Sequence, residues 1–158
     1  MSAFSKKLLI SAGLLSAMAL TACTAATPTI VERNAVAKTL QPCPDSPNCV
    51  STQAPREDAQ HYIEPITYTG SAADARQRLL DVIAAMPRTK IVTDEELYIH
   101  ATFTSLIFRF VDDVQFVIDD AAKTIHFRSA SRVGRGDMGV NRNRMEEIRA
   151  RFNQAAVP

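Results

Sequence analysis

Two stretches of this 158-residue chain hold residue types that could bind or transform a charged ligand. The first is Asp112-Asp113, set within Phe108, Phe110, Val114, Phe116 and Ile118. Those apolar residues share one parity of a long strand and mark its buried face. Asp112 has the same parity. A carboxylate there needs a donor, or it carries several kcal/mol of desolvation. Three readings stay open: a bulge at Val111-Asp112-Asp113 that turns it outward, a buried pair with Arg128, or a functional carboxylate. Asp113 falls on the other face and reads as solvated.

The second stretch runs from Arg128 to Arg144 and joins a strand to a helix. Arg142 and Arg144 fall in the first helical turn, where the macrodipole is already positive. Arg128, Arg132 and Arg135 add to that charge. Orphan backbone N–H groups beside several guanidinium groups suit phosphate, sulfate or carboxylate. With Asn141 as a candidate N-cap, the candidate anion site is Arg128, Arg132, Arg135, Asn141, Arg142 and Arg144. The anion is either an external ligand or the chain's own Asp112, Asp113 or Asp137.

Other apparent motifs carry less. Gly134-Arg135-Gly136-Asp137-Met138-Gly139 matches GxGxxG, but no second parallel strand follows, so the βαβ unit of a dinucleotide site is missing. Ser105, Ser129 and Ser131 lack a His-Asp partner arrangement. His100 and His126 alternate with apolar strand residues and read as surface or cross-strand groups. No cofactor and no metal site is expected.

The chain opens with Lys6 and Lys7, an apolar run from Leu8 to Leu20, and Leu20-Thr21-Ala22-Cys23. That order is a secretory leader, too short for a comfortable membrane span, ending in a lipobox. It resembles bacterial lipoproteins, which are cleaved before the cysteine and acylated on it. Two or more acyl chains anchor stably where one does so marginally. By the same resemblance, Thr24 in place of Asp favours the outer membrane, facing the periplasm. Cys43 and Cys49 remain, separated by Pro-Asp-Ser-Pro-Asn. Outside the cytoplasm such a pair reads as a disulfide before free thiols or half of a zinc site with His61.

The formal net charge is +1, and loss of Lys6 and Lys7 with the leader turns it to −1. Neither value favours nucleic acid. The charge is uneven, however. Seven acids lie between Asp94 and Asp120 against Arg109, and seven arginines lie between Arg128 and Arg151 against Asp137, Glu146 and Glu147. Mutual ion pairing inside one domain accounts for that asymmetry.

The elements that must position these residues follow from periodicity. His61 to Tyr68 reads as a first strand. Ser71 caps a helix carrying Ala75, Leu79, Val82, Ile83 and Met86 on one face, and Pro87 ends it. Strands follow at Lys90–Thr93, Leu97–Thr104, Phe108–Ile118 and Thr124–Ala130. A final helix buries Met145, Ile148 and Phe152, with Val140 and Met145 as a hydrophobic staple. The expected fold is α+β, a two-layer sandwich in the order β-α-β-β-β-β-α. A mostly antiparallel sheet of about five strands would carry both helices on one face. Residues 1–22 are the expected leader, 23–42 a flexible tether and 43–154 a single domain.

Cys43-Pro44-Asp45-Ser46-Pro47-Asn48-Cys49-Val50-Ser51, Arg109-Phe110-Val111-Asp112-Asp113-Val114, Arg128-Ser129-Ala130-Ser131-Arg132 and Gly139-Val140-Asn141-Arg142-Asn143-Arg144 occur in that order. Together they resemble the family called domain of unknown function 1499, over about residues 42–153. Its members include bacterial envelope proteins and plastid relatives, and it implies no established reaction. Gln115 stands where the family usually has Glu, which weakens any scheme needing a third carboxylate.

The resulting expectation is a membrane-anchored envelope lipoprotein. It would be a binding or assembly module holding an anionic small molecule, a lipid headgroup or an envelope protein. The alternative is a small hydrolase or lyase with Asp112 as base.

Overall fold

Alternating burial organises the sheet of this computed structural model, which describes residues 39–155. The chain forms β1 (Cys49–Ser51), β2 (Ile66–Thr67), α1 (Ala72–Ala84), β3 (Thr89–Glu95), β4 (Tyr98–Thr104), β5 (Val111–Asp119), β6 (Thr124–Ser131) and α2 (Val140–Gln154). Ile99, Ala101 and Phe103 of β4, Val114, Phe116 and Ile118 of β5, and Ile125 and Phe127 of β6 are buried on one face. Ala75, Leu79 and Ile83 of α1 and Met145, Ile148 and Phe152 of α2 pack against them in one core. The lipobox and Cys23 lie outside the described residues. Among the described residues, the main core cluster spans Val50 to Phe152.

The strands lie in the order β1-β6-β5-β4-β3, every pair antiparallel. β2 also pairs with β6, next to β1 on the same edge, so six strands occupy five positions. The fold is thus the expected α+β sandwich with one strand more than anticipated. β1 was not foreseen, because its three residues are all buried and show no alternation. The expected strand over 61–68 shrinks to Ile66–Thr67, with a lone bridge from Ser51 to Tyr62. Leu40, assigned by sequence to the tether, is buried, and its N–H donates to Gln53.

Both helix starts have a local cause. Ser71 Oγ accepts the Asp74 N–H at 3.1 Å and caps α1. At α2 the N-cap is Gly139 at φ 78°, and it offers no side chain. Asp137 does that work instead, accepting the N–H groups of Gly139 at 3.0 Å and Asn141 at 2.8 Å. Asn141 is therefore a buried first-turn residue rather than the cap. Val140 is the first helical residue and half exposed, so it does not occupy the N′ position that the expected staple onto Met145 requires.

The largest departure is at Phe108 and Phe110. β5 begins only at Val111, and both rings sit exposed in the loop after β4. Their parity continues that of the buried residues, but the chain has already left the sheet.

Candidate functional site

β4, β5 and β6 all reach one end of the sheet, where Phe103 pairs with Asp112 and Asp112 with Ser131. Antiparallel register puts Asp112, Ser129 and Ser131 on the helix-covered face, beneath the first turn of α2. Asp112 is buried, without an outward bulge. Its partner is Arg144, whose Nη2 donates to Oδ2 at 2.5 Å, with the two side chains only 9% and 10% exposed. Arg128 cannot serve, because it pairs in register with Gln115 and so points to the opposite face.

Further hydrogen bonds extend this network. Arg144 Nη1 donates to Asn141 Oδ1 at 2.7 Å and to Ser129 Oγ at 3.1 Å. Ser129 Oγ donates to the same Asn141 oxygen at 2.6 Å. Asn141 Nδ2 donates to Asp137 Oδ2, the Asn48 carbonyl and Ser131 Oγ, at 2.8, 3.0 and 3.0 Å. The guanidinium carbon of Arg144 lies 4.8 Å from the centre of the Phe103 ring, a cation–π contact from below. A buried ion pair needs further hydrogen bonds to offset desolvation, and both terminal nitrogens of Arg144 have them.

The disulfide belongs to the same construction. Cys43 and Cys49 are bonded at 2.05 Å and close a short loop that includes Asn48. The Asn48 carbonyl accepts Ser131 N–H as well as Asn141, and its side chain donates to the Gly134 carbonyl at 2.8 Å. The bridge therefore holds down both the end of β6 and the loop leading into α2. It consumes both thiols, and His61 pairs with Asp58 at 2.7 Å instead of joining them.

Asp113 faces the open side of the sheet, yet it is not simply solvated. Arg132 donates from Nε at 2.8 Å and Nη2 at 2.9 Å, and His100 Nε2 lies 2.7 Å from Oδ1. The Arg132 bonds hold the Asp113 carboxyl below its usual range, against the opposing pull of burial, and His100 adds to them. Arg128 stands half-buried on that face, its Nε without a hydrogen-bond partner, and burial pulls its pKa down.

The six anion candidates are thus dispersed. Arg144 and Asn141 meet in the buried network, Arg132 is on the other face, and Arg142 donates to the carbonyls of Ala59 and Gln60. Arg135 is exposed and has no carboxylate partner among the described residues. The chain's own Asp112, Asp113 and Asp137 supply the countercharge that the loop and helix start required.

An open cleft remains beside Arg144, of about 400 Å³. Its walls are Pro87 and Arg88 after α1, Phe103 to Ser105 at the end of β4, and Val140, Asn143, Arg144, Glu147 and Arg151 of α2. Arg88 Nε donates to the Thr104 carbonyl at 3.0 Å, which fixes the guanidinium at the rim and leaves its terminal nitrogens without a carboxylate among the described residues. The one acid in the wall, Glu147, is bonded to Arg151 at 2.7 Å. Sequence reasoning passed over Arg88, because a residue after a helix-ending proline carries no pattern that reveals its neighbours. A groove of about 500 Å³ between α1 and α2 mixes Asp74, Asp81, Arg78 and Arg151 and brings no reactive set together.

Fold and site together define a disulfide-pinned α+β domain with a buried ion-pair network beneath a cationic cleft. Residues 39–152 match the sequence profile described as Protein of unknown function (DUF1499), and the chain belongs to that family. Nothing among curated proteins or solved structures matches it.

Proposed function

We propose that the protein is a lipid-anchored envelope binding module that holds a small anion, or the anionic group of a larger ligand, in the cleft between Arg88 and Arg144. The lipobox at Cys23 supports the anchor and the periplasm-facing, outer-membrane address. The observation that carries the ligand class is Arg88, a guanidinium fixed at the rim of a cleft whose single carboxylate is already paired. Such a forked donor suits phosphate or carboxylate. The hydrolase or lyase reading loses its support, because Arg144 covers Asp112 at 2.5 Å and the carboxylate is only 9% exposed. A general base there would first have to be uncovered by movement of Arg144.

Thermal unfolding in inorganic phosphate tests the reading. At about 100 times the dissociation constant, linkage stabilises the bound protein by about 2.7 kcal/mol, a rise of several degrees. The rise is expected for wild type and lost in Arg88→Ala, whose side chain is exposed and whose removal leaves the core intact. No rise, or the same rise in both proteins, contradicts the cleft.

A further inference from the structure

We infer that the loop between β4 and β5, with the neighbouring loop between β6 and α2, is a tip that docks on an anionic lipid bilayer. The inference goes beyond the anion cleft and does not depend on it.

Leu106, Ile107, Phe108 and Phe110 are 67, 78, 72 and 50% exposed within one six-residue turn. Met138 stands fully exposed on the adjacent loop, and Val133 is more than half exposed. Both loops leave the same end of the sheet, since β5 and β6 pair up to Asp112 and Ser131 and Arg132 N–H donates to the Val111 carbonyl. Scattered exposed apolar residues are ordinary, but a contiguous patch of this kind marks an interaction surface.

The apolar side chains are held outward. Ser105 N–H donates to the Phe110 carbonyl, and Phe110 N–H donates to Ser105 Oγ, both at 2.8 Å. The rings of Phe108 and Phe110 stack at 5.5 Å. Arg109 and Met138 have φ of 57° and 53°, a strained region for side-chain-bearing residues, where strain persists only when the surroundings impose it.

The charge around the patch selects the partner. Arg109 and Arg135 are exposed and have no carboxylate partner among the described residues. No acid occurs from Ser105 to Val111 or from Arg132 to Gly136. The acids that flank these segments are turned to other work: Asp112 to Arg144, Asp113 to Arg132, and Asp137 to the start of α2. Apolar side chains on loops that also carry two unpaired guanidinium groups match a bilayer interface carrying anionic headgroups. A second copy of this chain fits less well, because a symmetric contact through the tip would set Arg109 and Arg135 near their own images with no acid between them.

Vesicle sedimentation tests the tip, using residues 24–158, which leave out the leader and the lipobox cysteine and keep every described residue. Vesicles of phosphatidylglycerol and phosphatidylcholine are compared with phosphatidylcholine alone. Wild type is expected to bind the anionic vesicles about tenfold more than Ile107→Ser/Phe108→Ser and more than Arg109→Ser/Arg135→Ser, with binding weakened by added salt. Leu106→Ser/Ile107→Ser is the second apolar variant, read if the first lowers the melting temperature. Equal sedimentation of wild type and both apolar variants, or no preference for the anionic lipid, overturns the inference. A concentration-dependent dimer that the apolar variants abolish, without vesicle binding, assigns the tip to a second copy and also overturns it. The phosphate-induced rise in melting temperature is unchanged in Ile107→Ser/Phe108→Ser, so failure of the tip and failure of the cleft are read separately.

Discussion

Asp112 and Asp113 are neighbours in sequence with opposite surroundings. Asp112 is sealed under α2 with Arg144, and Asp113 stands on the open face between Arg132 and His100. Removing one partner of a buried pair strands the other charge, which costs about 3–5 kcal/mol. Arg144→Ala is therefore expected to lower the urea-unfolding free energy by about that amount. Asp112→Leu/Arg144→Leu should recover most of the loss, because the cost lies in the orphaned charge. A penalty for Arg144→Ala below about 1 kcal/mol would mean that Asp112 reaches water and the network is not closed.

At the scale of elements, the start of α2 is assembled from distant parts of the chain. Asp137 caps it, Asn141 ties it to Ser131 and Asn48, and the Cys43–Cys49 bridge holds Asn48 in place. Chain-entropy arithmetic for so short a loop gives about 2 kcal/mol. Cys43→Ser/Cys49→Ser, or reduction of wild type, should lower the melting temperature by roughly 8 °C. An unchanged melting temperature would show that the loop holds its shape without the bridge.

Elements with their own local cause were legible in sequence. α1 has a capping serine, an apolar stripe and a terminating proline. β4, β5 and β6 alternate, and α2 buries Met145, Ile148 and Phe152 as spaced. What depended on register or on distant partners was not legible. The face that Arg128 occupies follows from its pairing with Gln115, and the partner of Asp112 follows from where α2 lies over the sheet. Phe108 and Phe110 kept the parity of the buried residues after the chain had left the sheet. β1 is too short to show a period. The arginine-rich loop was visible as a concentration of charge, but its internal acids and the rim position of Arg88 were products of the fold.

At the scale of the whole molecule, cleft and tip share one end of the sheet, and Ser105 is common to the cleft wall and the base of the tip loop. A lipid on Cys23 would keep the domain near a membrane surface, where an anionic group and an apolar boundary occur together. Growth of the producing cell with labelled palmitate should label the full-length protein, and Cys23→Ser should abolish the label. Persistent label on Cys23→Ser, or none on wild type, would remove the lipid anchor from the account.

The most direct test of the central claim is a nuclear magnetic resonance titration of the arginine side-chain Nε–Hε signals of residues 24–158 with inorganic phosphate. The account predicts saturable shifts of Arg88 and Arg144, with Arg132 and Arg142 staying in place on their internal partners. Shifts centred on Arg132 or Arg142 with Arg88 unmoved, or no saturable shift at any arginine, would contradict it.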